Sequence, residues 1–470
     1  MSNFGRLAGR PWGSHIHSDW RAKAARALSQ PAVLLVLLLL GTSLYTWYGA
    51  TQKTGYTSGD EWRYLWYAEN LLKGYYSPPE YTFLWGGPGY PLFLVPFVAA
   101  GASVAVMQAA NGVLLGLAHL LFFLFVRQYA SVLSAVACTT LLALYLPIFD
   151  FLPLTYSEPL AFTLECALLY TLSRAVSGSW KHAVAAGVAA AWLVLTKVGF
   201  WPQIFGGCAI SAGLFLWNRF VRRRDGGRGY RNMALALLVG ILCCIPYLSY
   251  TERVTGRSFY WGAGSGSILY WISNPYGDHY GQWYHAGWVQ RLPDLREHHF
   301  ELFQRLGGYD KRLVGQSEGR ERIARSLAPL CSPESDEVLG KLGVENIKAH
   351  PGNYLRNVGY NTARLLLDWP DTVRKFGPAS KRIASCSVII LIGVAFAVAR
   401  LLRGKLEPHP LVLFAAWLFF SYLGMLSLVS AVGRYFVVIA PAGIALFALA
   451  AAPLLDRWLG ATRSTPQDTP

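Results

Sequence analysis

Ten long apolar runs dominate the chain and limit what it can fold into. They cover residues 31–49, 104–126, 131–149, 157–174, 183–200, 202–218, 232–250, 383–402, 410–430 and 434–455. A helix needs about 20 mostly apolar residues to cross the hydrocarbon core of a bilayer. Each run comes close to that length, so the pattern predicts an all-α polytopic membrane protein with about ten spans. Composition agrees. Of 470 residues, 53% are hydrophobic and only 14% are charged, against roughly 25% charged in soluble domains. The mean hydropathy is +0.31. A disordered chain, a collagen and an ordinary soluble enzyme are excluded. The run at 90–100 (YPLFLVPFVAA) is short and holds two prolines, so it reads as a partial or re-entrant segment.

The net charge of +16 would suggest nucleic acid in a soluble protein. Here it suits basic cytoplasmic loops better, and no nucleic-acid partner is expected. Arg21, Lys23 and Arg26, Arg127, Arg174 with Lys181, the basic stretch 218–231, Arg400 to Lys405, and Arg457 with Arg463 all fall on one side of a ten-span chain. The positive-inside rule makes that side cytoplasmic, with both termini there. The first run is long and has no small-residue cleavage site, so it reads as a span rather than a leader.

Three parts follow. Residues 1–250 form an N-terminal transmembrane module with a first outer loop at 50–89. Residues 251–382 form an extracytoplasmic region, expected as a small helical cap. Residues 383–470 carry the last helices and a cytoplasmic tail. Seven cysteines show no CxxC spacing, so no disulfide framework is expected. His298 and His299 are adjacent, and neighbours on a helix do not converge on one metal ion.

Four features carry chemistry. Asp60 and Glu61 lie in the first outer loop, with Arg63 three residues beyond Asp60 and on the same helical face. One reading is a helix capped by Ser58 that lies on the membrane through Trp62, Trp66 and Tyr67. The other is a carboxylate base beside a cation. Glu158 stands at the mouth of the fourth run, where an ionisable residue is a functional candidate. Lys197 ends the fifth run, either snorkelling or working. Arg434 opens the last run on the outer side, against the usual charge bias, and an anionic partner such as a lipid phosphate would explain it. The topology brings all six charges to one interface. The aromatic run 260–288 reads either as an interfacial belt or as a platform for sugar rings or prenyl chain.

Several stretches then resemble one family. The Asp-Glu pair, GPGYPLFL, SEPL at the fourth run, KAHPGNYLRNVGYN at 348–361 and the late GRYFVVIAP look like the GT-C membrane glycosyltransferases. The branch they resemble is the protein mannosyltransferase-like group that includes the aminoarabinose lipid A transferases. The resemblance covers most of the chain in order and is weakest over 255–340.

The resemblance implies a GT-C fold with about ten transmembrane helices, juxtamembrane helices and an outer cap. It implies an inverting transferase that moves a sugar from a polyprenyl-phosphate donor to a glycolipid, glycan or protein acceptor in the cell envelope. The setting would be the bacterial inner membrane, with the site on the periplasmic face. Asp60, Glu61 and Glu158 would be the catalytic carboxylates. Arg63, Tyr64, Lys197, His350, Arg434 and Tyr435 would bind substrate. No cofactor is required, although a divalent cation on Asp60 and Glu61 is compatible with hard oxygen ligands. One departure stands out: a Lys-Pro-Pro loop in the aminoarabinose enzymes is matched here by Gly86, Gly87 and Pro88. The rival readings are a flippase or transporter for lipid-linked sugars, and a non-catalytic assembly partner.

Overall fold

The computed structural model describes residues 30–52, 60–222, 227–276, 279–284, 289, 291–307, 319–368 and 378–459. Among them every regular element is helical. In chain order these are α1 (Pro31–Thr51), α2 (Glu61–Leu72), α3 (Gly89–Ala99), α4 (Val104–Arg127), α5 (Val132–Ala143), α6 (Glu158–Val176), α7 (Trp180–Thr196), α8 (Trp201–Leu216) and α9 (Arg228–Thr255). The short helices α10 (Ser265–Ser273), α11 (Pro293–Arg305) and α12 (Arg320–Leu327) follow, then α13 (Pro333–Ala349) and α14 (Pro351–Leu367). The chain closes with α15 (Pro378–Leu402), α16 (Pro410–Ser427) and α17 (Arg434–Leu459).

Among the described residues, seven helical stretches are long and apolar enough to span a membrane by length and composition, where the sequence shows ten apolar runs. The difference has local causes. The run 131–149 breaks at Leu144 into α5 and a short 3-10 helix, Leu146–Phe151. A helix of 12 residues rises only about 18 Å. The run 183–200 ends its α-helix at Thr196, where Lys197 turns extended. The run 157–174 forms one 19-residue helix, α6, but carries Glu158, Glu165 and Arg174. Glu158 and Glu165 on α6 are buried against protein, while Arg174 near its end is exposed. The 90–100 segment is a helix of 11 residues with Pro96 inside it.

Two separate sets of contacts close the two ends of the bundle. At one end Asp456 accepts hydrogen bonds from the Ser131 backbone N–H and the Ser134 hydroxyl (2.6 Å). Tyr230 donates to the Pro408 carbonyl, and Tyr129 meets His409 edge-on. Arg127, Arg174, Arg228, Arg400 and Arg457 lie on or beside those helix termini, so the described basic clusters share this end. The starts of α2, α6 and α17 meet at the opposite end, beneath α10 to α14.

Small residues set the closest approaches. A Cβ on Gly112 of α4 would lie 2.3 Å from the Thr46 backbone nitrogen on α1, and one on Gly116 would lie 2.1 Å from the Thr42 hydroxyl. Bare backbone on one helix lets the other lie directly against it, a common device between membrane helices. The outward face of α1 keeps Leu35, Leu39, Leu40 and Leu44 exposed, as lipid contact requires. By contrast α17 is buried for most of its length.

The expected cap is present. Asp336 on α13 holds the start of α10, accepting from the N–H groups of Gly264 (2.9 Å) and Gly266 (2.8 Å) and from the Ser265 hydroxyl. The backbone N–H groups at a helix start have no helical partners, and here one carboxylate accepts from two of them, with Ser267 N–H further off at 3.4 Å. Trp271, Leu295 and Phe303 form a core of the cap's own. The cap is tied to the first loop through α12: Glu321 accepts from Trp66 and Tyr81, and Arg320 pairs with Glu69.

Candidate active site

Asp60 occupies the N-cap position of α2, but its carboxylate does not cap the helix. It turns toward two arginines. Oδ1 meets Arg63 at 3.1 Å, one helical turn on, and Oδ2 meets Arg434 at 2.8 Å. The Asp60 N–H donates to the Tyr156 hydroxyl, tying the first loop to the segment before α6. Burial alone would raise the Asp60 pKa. Arg63, Arg434 and, further off, Lys197 outweigh it and hold the carboxyl far below its ordinary value. The same pairing raises Arg63 against the opposing effect of its burial.

A second pair lies alongside. Glu158, the first residue of α6, is almost fully buried and accepts from Lys197 Nζ at 2.9 Å. Arg434 Nε stands 3.9 Å from the same oxygen. Arg434 thus bridges the two carboxylates. Three cations face two carboxylates, leaving one positive charge in excess. Both guanidiniums also lie over aromatic rings: Arg63 over Trp85 at 5.5 Å, and Arg434 over Tyr156 and Tyr435 at 5.7 Å. Such stacking orients a cation without consuming its N–H donors.

Local sequence explains the placement. Lys197 follows α7 because GGPG at 86–89 presses on that helix end. A Cβ on Gly87 would lie 2.1 Å from the Leu195 carbonyl oxygen, and one on Gly89 would lie 2.5 Å from the Thr196 nitrogen. Trp192 donates to the Gly89 carbonyl and fixes the contact. Arg434 is placed by Asn361 on α14. The Asn361 amide donates to the carbonyls of Leu426 and Val429, and its oxygen accepts from the Ala431 N–H. One side chain therefore folds the turn that delivers Arg434.

The ion pairs border a cavity of about 600 Å³ between the bundle and the cap. Asp60, Arg63, Arg434 and Tyr435 are among its lining residues. Of the residues expected from sequence, the structure brings together Asp60, Arg63, Glu158, Lys197, Arg434 and Tyr435. Tyr64 sits just behind, its hydroxyl 3.0 Å from that of Ser157 and its ring edge-on to Tyr90.

Three expectations change. Glu61 was grouped with the reacting carboxylates, yet it is fully buried and its Oε1 accepts from the backbone N–H (2.8 Å) and hydroxyl of Thr155. It anchors the first loop to the segment before α6. His350 is exposed at the junction of α13 and α14, away from the cavity, and its side chain does not cap α14. The membrane-surface reading of α2 also gives way: Trp66 and Tyr67 are buried, and Trp62 lines the cavity. Ser58 lies outside the described residues.

The residues do not fit a divalent ion on the Asp60–Glu61 pair. Glu61 points to Thr155, and both Asp60 oxygens face guanidiniums whose charge opposes a cation. Among the described residues no three metal-ligating side chains cluster.

Trp85, Tyr156 and Cys331 also wall the cavity, and no charge or motif in the sequence marks them. Cys331 is buried, and burial pushes its thiol up to about 12. The aromatic run 260–288 is divided: Tyr270 and Trp271 build the cap core, while Trp283 faces Trp85 at 5.9 Å.

No protein-family model and no curated protein matches the chain. Among solved structures, the Archaeoglobus fulgidus oligosaccharyltransferase tethered with an acceptor peptide is similar at 15% identity and a TM-score of 0.49, covering 90% of this chain and 50% of that one. Its apo form gives 15% and 0.48, with 95% and 52% covered. The archaeal oligosaccharyltransferase AglB from the same organism, in complex with an inhibitory peptide and a dolichol-phosphate, gives 15% and 0.45, with 94% and 51% covered. The chain spans about half the length of the solved chains it matches.

Proposed function

We propose that the protein is an inverting GT-C-type glycosyltransferase that moves a sugar from a polyprenyl-phosphate donor to an envelope acceptor at the cap end of the bundle. One observation carries the reading. Arg434 and Arg63 grip one carboxylate, with Lys197 alongside, at the mouth of a cavity where membrane helices meet the cap. An excess cation at a bilayer surface, presented by guanidinium forks, suits a lipid phosphate.

The chemistry follows from the charges. The acceptor hydroxyl oxygen bonds to the anomeric carbon from the face opposite the phosphate. The carbon–oxygen bond to phosphate breaks, and its electron pair leaves on polyprenyl phosphate. Charge then grows on the phosphate and on the oxocarbenium-like sugar. Arg434, Arg63 and Lys197 stabilise the phosphate, and preorganised charge of this kind is usually the larger contribution.

Asp60 is a weak base, because its pKa is held low. It therefore acts late. An attacking oxygen that already carries the new bond is a strong acid, and a weak carboxylate suffices to take its proton. Before that, Asp60 orients the hydroxyl. An incoming phosphate competes with Asp60 for the two arginines and frees a carboxylate oxygen for the acceptor. The reaction needs no metal in this account, since the leaving group is a phosphate held by three cations.

The test is a transfer assay. Wild type and Asp60→Asn in lipid nanodiscs receive a panel of polyprenyl-phosphate sugars with a crude envelope lipid extract, and mass spectrometry follows free polyprenyl phosphate and modified products. Release in wild type alone is expected. Donor that binds and is never consumed, with every acceptor, would overturn the transferase reading in favour of a flippase or an assembly partner.

A further inference from the structure

Tyr156 lies in the short segment before α6, lines the cavity and is half-buried. Its neighbours in the chain are held firmly. The Leu154 carbonyl accepts from the Asn111 amide at 2.7 Å, and the Ser157 hydroxyl lies 3.0 Å from that of Tyr64. The Tyr156 ring carries the Arg434 guanidinium at 5.7 Å and packs on Phe151. A phenol has one proton to donate and lone pairs with which to accept. The Asp60 backbone N–H donates to the Tyr156 oxygen at 3.2 Å. That contact uses a lone pair and leaves the phenol's proton over. Both Asp60 oxygens face guanidiniums, and among the described residues no acceptor takes the Tyr156 proton.

We propose that Tyr156 is a further substrate-binding residue, whose O–H donates to a non-bridging oxygen of the phosphate gripped by Arg434 and Arg63. The assignment rests on the transferase reading and adds one neutral donor to its three cations. Position supports it. The phenol touches both Asp60, whose N–H it accepts, and Arg434, which lies on its ring. An anion that takes Arg434 from Asp60 therefore arrives beside that proton. Charge supports it as well. The ionised groups around the phenol are Asp60 at the start of α2, Glu158 on α6 and Arg434 on α17. Burial first, then the Asp60 carboxylate, raises the phenol's pKa above its ordinary value. Tyr156 thus stays a donor at working pH and does not serve as the base. An uncharged donor strengthens the hold on phosphate without enlarging the positive excess. The bonds at Leu154, Ser157 and the Asp60 N–H fix the phenol before substrate arrives, so little ordering is needed on binding.

The test measures equilibrium binding of radiolabelled farnesyl methyl phosphate to the full-length protein in nanodiscs. This phosphodiester keeps one negative charge at any working pH and carries no sugar, so it reports on the phosphate alone. Tyr156→Phe keeps the ring under Arg434 and should weaken probe binding about ten- to a hundred-fold, the value of a hydrogen bond to a charged group. Phe also removes the partner of the Asp60 N–H, so a second variant separates the two effects. Tyr156→difluorotyrosine keeps the ring and the acceptor, but fluorine makes the phenol more acidic. Its probe affinity should match or exceed wild type at acid pH and collapse as the phenol ionises, an event marked by phenolate absorbance. Wild type should stay flat between about pH 5 and pH 9. Wild-type affinity in Tyr156→Phe would overturn the proposal, as would a fluorinated variant whose affinity is unmoved while its phenolate forms. Slower transfer in Tyr156→Phe with unchanged probe affinity would overturn it too, because the O–H would then serve the acceptor hydroxyl. Failure of the transferase reading shows separately, as absent turnover in the transfer assay with both probe results intact.

Discussion

Asp60 and Arg434 stand 374 residues apart in the chain and 2.8 Å apart in space. The pair closes the first loop onto the head of the last helix, and both side chains border the same cavity. Asp60→Asn should abolish that closure and leave two guanidiniums without their counter-charge. Transfer should fall about 10²–10⁴-fold, the usual value of a positioned proton acceptor, read as polyprenyl phosphate released per minute. Arg434→Lys keeps the charge and loses the fork. It should cost about ten- to a hundred-fold, in line with one charge-assisted hydrogen bond of ~1.5–3 kcal/mol.

The depressed Asp60 pKa also fixes a pH expectation. Its ionised form is favoured in the fold, so the pair's stability contribution is present above the unfolded-state value, roughly 3.9, and is lost only as pH falls below that, through the lower folded value. The rate should therefore show no acid limb from Asp60 between about pH 5 and pH 8. A limb in that window that disappears in Asp60→Glu would contradict the assignment.

Glu61 neighbours Asp60 in sequence and does something different. Its carboxylate is fully buried on Thr155. Glu61→Ala strands a buried N–H and a hydroxyl, and should lower stability by about 2–4 kcal/mol, read as an earlier thermal transition in nanodiscs. Molecules that remain folded should keep their turnover. A variant of wild-type stability and no activity would restore Glu61 to the chemistry.

The contrast between these two neighbours indicates how far the sequence could be read. Apolar runs and charge bias predicted a helical membrane protein with a polar cap, and the interface where charges gather. Those signals are periodic and additive, so they survive without coordinates. The failures are specific. Glu61 and Asp60 look alike in a string, and only the Thr155 backbone decides between them. His350 lies in a family-like stretch whose working residues are Asn357 and Asn361, which hold carbonyls at the ends of other elements. An asparagine that bonds backbone 65 residues away leaves no periodic trace. Hydropathy does not register a helix that breaks, as at Leu144, or one that carries a buried carboxylate, as at Glu165, so the length of an apolar run is not the length of its helix.

Gly87 offers a direct test of how Lys197 is placed. A methyl group at that position would sit 2.1 Å from the Leu195 carbonyl oxygen, a rigid backbone atom. Gly87→Ala must push the loop away from the end of α7, and overpacking of this kind typically costs about 1–3 kcal/mol. The displaced Lys197 should weaken its 2.9 Å bond to Glu158. Donor affinity should fall along with stability. Gly86→Ala, where a Cβ meets nothing within 4 Å, should do neither and serves as the matched control.

The cap carries its own pH sensitivity through His299. Its Nε2 lies 3.2 Å from the Asn274 amide nitrogen, and its Nδ1 lies 2.7 Å from the Tyr270 hydroxyl. The Asn274 oxygen accepts from the Tyr276 N–H, which fixes the amide so that its N–H₂ points at the imidazole. Nε2 therefore accepts, and a proton there would face a donor. Burial first, then His279 and His298 nearby, lowers the pKa from 6.5 to about 4. The sign follows from linkage. Above about pH 6.5 the imidazole is neutral both folded and unfolded, and contributes no slope. Between 6.5 and 4 the unfolded chain binds the proton and the folded cap does not, so stability drops as pH falls, by on the order of 3 kcal/mol across the window. Protection factors over α10 and α11, corrected for the intrinsic exchange rate, should fall from pH 7 to pH 5. His299→Gln should flatten that dependence even if it lowers stability at every pH. A pH slope unchanged in the variant would place the sensitivity in another group.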